Sequence, residues 1–340
     1  MLAGSLSNVF PNFPVIFAGL WSTKNAKGGL CILFVFALIT LSNFYGLTSK
    51  IKTLYPRSNA TEREKPRVML TMFTSFKNKK EKYQTYCNTL RNLALFRPQI
   101  QPILFTYETD ERLIKLAKSL GWIVAEIPRL GKIKLPIWKD MYFAAQNRSD
   151  SLFYSWFNGD ILFDDGLIKT LTTIEQYLNQ LNKPLIVGRR VNFDLRDREL
   201  WNKSDVTEAA KKGQLHANIA IDYFILARNQ FIWDKVPDIV IGRSHYDVYL
   251  VYLAVKNKLS VVDATKTILA LHQTGKDGNN AGITTNKDWK YNVKILPNFD
   301  IFQGGADRTP LYTEHGNGNE KIEIWQRPMR ERAKLSKLMC

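Results

Sequence analysis

The chain is poor in the residues that staple small sites together. Its 340 residues include three cysteines, Cys31, Cys87 and Cys340, too few for a disulfide framework or a four-thiolate zinc site. Four histidines, His216, His245, His272 and His315, exclude a histidine-rich metal cluster. No GxGxxG follows the first apolar strand and no Walker loop occurs, which disfavours a dinucleotide cofactor and a P-loop ATPase. Internal repeats and low-complexity tracts are absent. Positive charge is abundant: 48 Lys and Arg against 31 Asp and Glu give a net charge of +17. That balance suits an anionic partner, whether phosphate groups, acidic glycans, lipid headgroups or nucleic acid. Hydrophobic residues at 45% and charged residues at 23% are ordinary globular usage. The length allows two domains or one large α/β domain.

The first fifty residues are a separate object. From Gly28 to Leu47 the chain is uncharged and apolar, bounded by Lys24 and Lys27 before it and Lys50 and Lys52 after it. About twenty helical residues span a hydrocarbon core of about 30 Å. The run starts too late, and ends in residues too bulky, for a cleaved signal peptide. The expectation is a tail over 1–27, a single membrane anchor over 28–47 and a polar stem over 48–66. Lysine and arginine are nearly balanced across the run, so charge does not set its orientation. Sequons at Asn59, Asn147 and Asn202 permit a lumenal body without requiring one.

Beyond the stem, apolar runs rich in strand formers alternate with segments of helical spacing. Strands are expected at 67–76, 100–107, 122–127, 152–157 and 184–187, with helices at 78–96, 110–120, 136–147 and 166–181. Such alternation predicts an α/β domain of parallel strands with right-handed crossovers, placed here at 67–303, with 304–340 left as a tail. Ligands of such sheets sit beyond the carboxyl ends of the strands. Two loops therefore come first: Thr74-Ser75-Phe76 after the first strand, and Asn158-Gly159-Asp160 after the fourth.

Alternate residues at a strand end face the same way. Asn158 and Asp160 can therefore share a hard divalent cation that neutralises a diphosphate, and Gly159 leaves room for phosphate. A plain Asn-Gly turn explains the same letters. The run Lys77, Lys79, Lys80 and Lys82 can hold phosphate or form a solvated helix face. Trp138, Trp156, Trp201 and Trp289 can stack on rings or fill the core. Asp247 can cap the helix it opens. Asp222, in an apolar strand-like stretch, must face a pocket or pair with an arginine, because an unpaired buried charge is costly.

The order of elements and the segment WFNGDILF resemble the GT-A fold of nucleotide-sugar glycosyltransferases. VGRRVNFDL (187–195), AIDYFIL (220–226) and 241–275, from IGRSHYDVYLVYLA through LALHQTG, resemble GT-A-like nucleotide-diphospho-sugar transferases. Together these cover roughly residues 67–275. The resemblance implies a GT-A (Rossmann-like) mixed, mostly parallel sheet flanked by helices. It implies a divalent cation, Mn²⁺, held by Asp160, Asn158 and His272. Thr74, Ser75, Asn158, Asp160, Arg189 and Arg190 would contact the donor. Asp247 would be the general base of an inverting transfer, and Asp222 is the second candidate catalytic residue. Asn158 stands where the family's metal motif has its first Asp, which weakens that ligand. The implied partners are a nucleotide-sugar donor, a glycan, glycoprotein or lipid acceptor, and a membrane, with no nucleic acid. The implied setting is the Golgi, type II, with a lumenal body. The alternative is a catalytically inactive GT-A-like domain that binds a glycan or nucleotide.

Overall fold

The computed structural model describes residues 68–107, 109–195, 198–275, 287–317 and 321–328. The expected anchor, stem and Asn59 lie outside these residues. Among the described residues no helix is long and apolar enough to cross a membrane.

Nine strands form one sheet. At one edge β1 (Val68–Phe76), β2 (Ile100–Thr106) and β3 (Ile123–Glu126) run parallel. On its other side β1 pairs in parallel with β4 (Ser151–Phe157). Next come β9 (Ile221–Ala227), β6 (Leu185–Arg189), β10 (Val261–Asp263), β12 (Leu311–His315) and β13 (Ile322–Gln326). β9 is antiparallel to both neighbours. Its amino end therefore meets the carboxyl ends of β4 and β6: Phe157 pairs with Tyr223, and Arg189 with Ile221. A smaller sheet joins β5 (Ile161–Phe163), β11 (Ala270–Thr274), β7 (Val191–Asp194) and β8 (Gln214–Leu215) in that order.

The helices cover both faces because side chains alternate along each strand. Leu70, Met72, Phe153 and Phe157 pack with Leu90 and Leu93 of α1 (Tyr83–Ala94), Leu113 of α2 (Glu111–Ser119) and Leu171 of α4 (Gly166–Glu175). Phe73, Tyr154 and Trp156 pack on the other face with Tyr142 of α3 (Trp138–Gln146) and Leu250 of α6 (Tyr246–Lys256). Each fully buried side chain of this size contributes about 1.5–3 kcal/mol. Cys87 is buried on α1. Trp138 and Trp156 are core residues, exposed 0% and 2%, so they are not stacking platforms. Among the described residues the other α-helices are α5 (Lys203–Lys211) and α7 (Tyr291–Ile295).

The domain does not end at residue 303. β12 continues the sheet in parallel with β10, and β13 folds back against it. Leu311 and Ile322 are buried there, so residues expected to be tail complete the sheet.

Candidate active site

The carboxyl edge of β1 and β4 carries the site. Asp160 follows the turn after β4. The backbone then enters β5, which pairs antiparallel with β11 so that Ile161 faces His272. That register, with Gln273 N donating to Asp160 O at 3.0 Å, brings the two expected ligands together. His272 Nε2 lies 3.4 Å from Asp160 Oδ2, and Lys82 Nζ lies 3.4 Å from the same oxygen. His272 Nδ1 is 3.2 Å from Thr274 Oγ1, a contact that turns Nε2 toward the carboxylate.

α1 holds this loop from below with an unusual buried polar face. Thr89 Oγ1 donates to Gly159 O at 2.9 Å, and Asn88 Nδ2 donates to Gln273 Oε1 at 2.9 Å. Gln273 Nε2 returns a bond to Thr89 Oγ1 at 3.1 Å. Gly159 is required for packing: a Cβ there would sit 2.7 Å from Phe76 Cε1. Phe76 cannot yield easily, being stacked on Tyr86 at 4.3 Å. Thr74 lies fully buried near Gly159, and its hydroxyl has no hydrogen-bond partner. Ser75 is half-buried.

Asn158 and Asp222 form a second cluster. The Asn158 side-chain amide donates to Asp222 Oδ1 in a short bond, and its Oδ1 accepts from Tyr246 Oη at 2.9 Å. Asn158 N donates to Asp222 O at 2.8 Å. Arg190 Nη1 reaches the two Asp222 oxygens at 3.2 and 3.0 Å. Of the two outcomes open to Asp222, the arginine pair is the one realised. Arg190 and Asp222 are buried, at 7% and 3% exposure. Arg189 binds the His216 carbonyl through Nε at 2.8 Å. Both expected donor-binding arginines are therefore engaged within the protein, and so is the Asn158 amide. Arg243 pairs with Asp288 at 2.9 Å.

Asp247 lies on α6 but does not cap it. His245 takes the N-cap position in the left-handed region, φ 74°, and Asp247 is the second helical residue. Its Oδ1 accepts from Val248 N at 2.9 Å. Burial pushes the Asp247 carboxyl up to about 7, and the Asp222 charge adds to the rise. Burial would also raise Asp160, but His272, Lys82 and Arg190 outweigh it and hold that carboxyl well below the usual carboxylate range. One edge thus keeps one carboxylate ionised and one poised near neutrality, the separation that acid–base chemistry uses. Burial lowers the His216 imidazole, and Arg190 lowers it further.

Tyr246, His216 and Thr274 were missed by sequence reasoning. Tyr246 directly precedes Asp247, but nothing in the letters signals that its hydroxyl reaches Asn158. Lys82 was visible only as one of four lysines.

Among the described residues no group of three or more His, Cys, Asp or Glu side chains gathers around a metal position. Asp160 and His272 nevertheless fit a divalent cation. Their facing donor atoms are spaced like adjacent ligands of one ion, and the Nδ1 contact with Thr274 is the outer support that a ligating histidine uses. A cation with so few protein ligands completes its shell with water and substrate phosphates.

No family model matches the chain, and no curated protein matches it. Solved structures do. A candidate nucleotide-diphospho-sugar transferase from Desulfovibrio desulfuricans G20 is 14% identical, covering 66% of this chain and 89% of that one, with a TM-score of 0.36. A mannosyltransferase from Pyrobaculum calidifontis, in complex with GDP-Man and Mn²⁺, is 10% identical over 63% of this chain and 59% of that one, with a TM-score of 0.40. A cytidylyltransferase from Leptospira borgpetersenii is 12% identical over 70% and 92%, with a TM-score of 0.38. The choice of chemistry rests on the residues of the site.

Proposed function

We propose that this protein is a glycosyltransferase that moves a sugar from a nucleotide-diphosphate donor to a hydroxyl acceptor. The carrying observation is the pairing of Asp160 with His272 at the sheet edge, on the same edge as a carboxylate raised to about 7, Asp247. Asp160 and His272 would hold a divalent cation, Mn²⁺, whose charge stabilises a departing diphosphate. Lys82 stands beside Asp160 and supplies further positive charge to the same phosphates. Asp247 takes the proton from the acceptor hydroxyl in an inverting displacement; a carboxylate raised toward 7 is a stronger base than an ordinary one. The acceptor is a hydroxyl on a glycan, glycoprotein or lipid. We place the body on the lumenal side of the Golgi membrane, anchored through 28–47, on the strength of the apolar run and the sequons.

A second reading is a non-catalytic domain of the same fold that binds a nucleotide or glycan. It is favoured by Asn158 in place of a carboxylate. A thermal-shift screen of nucleotide sugars with Mn²⁺, followed by donor hydrolysis, tests the proposal, since a ligand that binds only the folded state raises Tm. Stabilisation with hydrolysis is the expected result. Stabilisation without hydrolysis or transfer to any acceptor leaves the binding domain. No stabilisation by any donor sinks the glycosyltransferase and leaves, of the second reading, only a domain that binds glycan.

A further inference from the structure

We infer that Asn158 is a positioning residue that ties the start of α6 to the sheet edge, and not a weakened ligand of the cation. The inference rests on the reading above only in taking Asp160 and His272 as the cation site and Asp247 as the base.

The amide of Asn158 has two kinds of group to offer, and each is held by a partner within the protein. Its NH₂ donates to Asp222, which Arg190 holds from the other side. Its oxygen, the only atom that could bind a cation, accepts from Tyr246 Oη. The orientation is fixed by chemistry: an ionised Asp222 can only accept, so the nitrogen must face it, and the tyrosine hydroxyl donates to the oxygen. The backbone of Asn158 binds Asp222 as well. The result is a chain of contacts from Arg190 through Asp222 and Asn158 to Tyr246.

Tyr246 is the first residue of α6, and Asp247 is the next. The Tyr246 ring packs against Trp138 at 5.1 Å. With its hydroxyl fixed by Asn158, the first turn of α6 is pinned to the β4 and β9 ends, and Asp247 is pinned with it. A carboxylate at 158 could still accept from Tyr246. It would face Asp222 without a proton between them, and like charges at that separation repel. An amide joins the two elements here where an aspartate would push them apart.

The experiment compares the full-length wild type with Asn158→Asp, Tyr246→Phe and the exchange Asn158→Asp/Asp222→Asn, reading Mn²⁺ affinity, Tm and donor turnover. Asn158→Asp is expected to bind Mn²⁺ within about twofold of wild type, because Asp160 and His272 are intact. Its Tm is expected to fall by about 4–10 °C. The exchange restores the donor–acceptor pair with the same net charge, and recovers most of that fall. Tyr246→Phe keeps the ring and removes only the bond to Asn158. Its kcat is expected to drop about 5- to 20-fold, with donor KM and Mn²⁺ affinity unchanged. This variant also stands in if Asn158→Asp does not fold. Mn²⁺ binding about tenfold tighter in Asn158→Asp, with unchanged Tm, would overturn the inference, since a first carboxylate ligand behaves that way. An exchange variant melting no higher than Asn158→Asp, or Tyr246→Phe with wild-type kcat, would also overturn it. Tm and Mn²⁺ binding need no sugar transfer, so a failed glycosyltransferase reading would leave these results interpretable.

Discussion

His272 Nε2 faces Asp160 Oδ2 at 3.4 Å because β5 and β11 pair in an antiparallel register that sets His272 opposite Ile161. The contact is made by backbone pairing, so it is fixed before any ligand arrives. Gln273 reinforces it from the next position by bonding Asp160 through its backbone and α1 through its side chain.

The cation follows from that contact. His272→Ala and Asp160→Asn should each abolish Mn²⁺ binding measured by titration, while Thr274→Val, which removes the support at Nδ1, should weaken it about 10- to 100-fold. Wild-type Mn²⁺ affinity in His272→Ala would remove the histidine from the site.

Asp247→Asn separates base from structural carboxylate. Transfer should fall by about 10² to 10⁴ while donor binding survives. In the wild type, transfer should rise with pH up to about 7, where Asp247 ionises. Its folded-state pKa lies above the unfolded one. The stability it contributes is present below about pH 4 and is lost as pH rises through about 7. Asp247→Asn should therefore melt higher than wild type at pH 8, with the difference vanishing near pH 4. A variant that is less stable at pH 8 and fully active would mark Asp247 as a structural group.

Arg190→Ala leaves Asp222 charged and unpaired in a buried place. Breaking such a pair costs about 3–5 kcal/mol, readable as a lower urea midpoint. An arginine that served only donor phosphate would instead leave stability intact and raise donor KM.

Gly159→Ala forces a methyl into the Phe76 ring. Overpacking of this kind costs about 1–3 kcal/mol. Because the displaced loop carries Asp160, Mn²⁺ affinity should fall with Tm. A variant with unchanged Tm and Mn²⁺ affinity would show that the loop absorbs the methyl freely.

The lumenal placement is tested by glycan. Asn147 and Asn202 are exposed, and in a eukaryotic host at least one should carry an endoglycosidase-sensitive glycan. An unchanged mass, together with protease sensitivity in sealed microsomes, would put the body in the cytosol.

The alternation of β1 to β4 with α1 to α3 was legible because apolar spacing encodes element type. The Asp160–His272 meeting was legible only through the resemblance, since nothing in two distant segments reveals their register. Three features were hidden for physical reasons. β9 runs antiparallel to both neighbours, and strand direction leaves no mark in composition. His245 adopts the left-handed conformation, where glycine or asparagine is expected, so the cap fell two residues before the aspartate that looked best suited. β12 and β13 are short and partly polar, and they read as tail.

Those last two strands bear on how the protein can be handled. β10 is three residues long, buried, and flanked by β6 on one side and β12 on the other. A product trimmed at residue 303 keeps every residue of the site and loses the cover over Val261 and Val262. The bare strand would then offer open backbone groups to another chain, which is how sheets aggregate. Such a fragment should come out of the cell as inclusion bodies, and a soluble catalytic fragment needs the hairpin through Gln326.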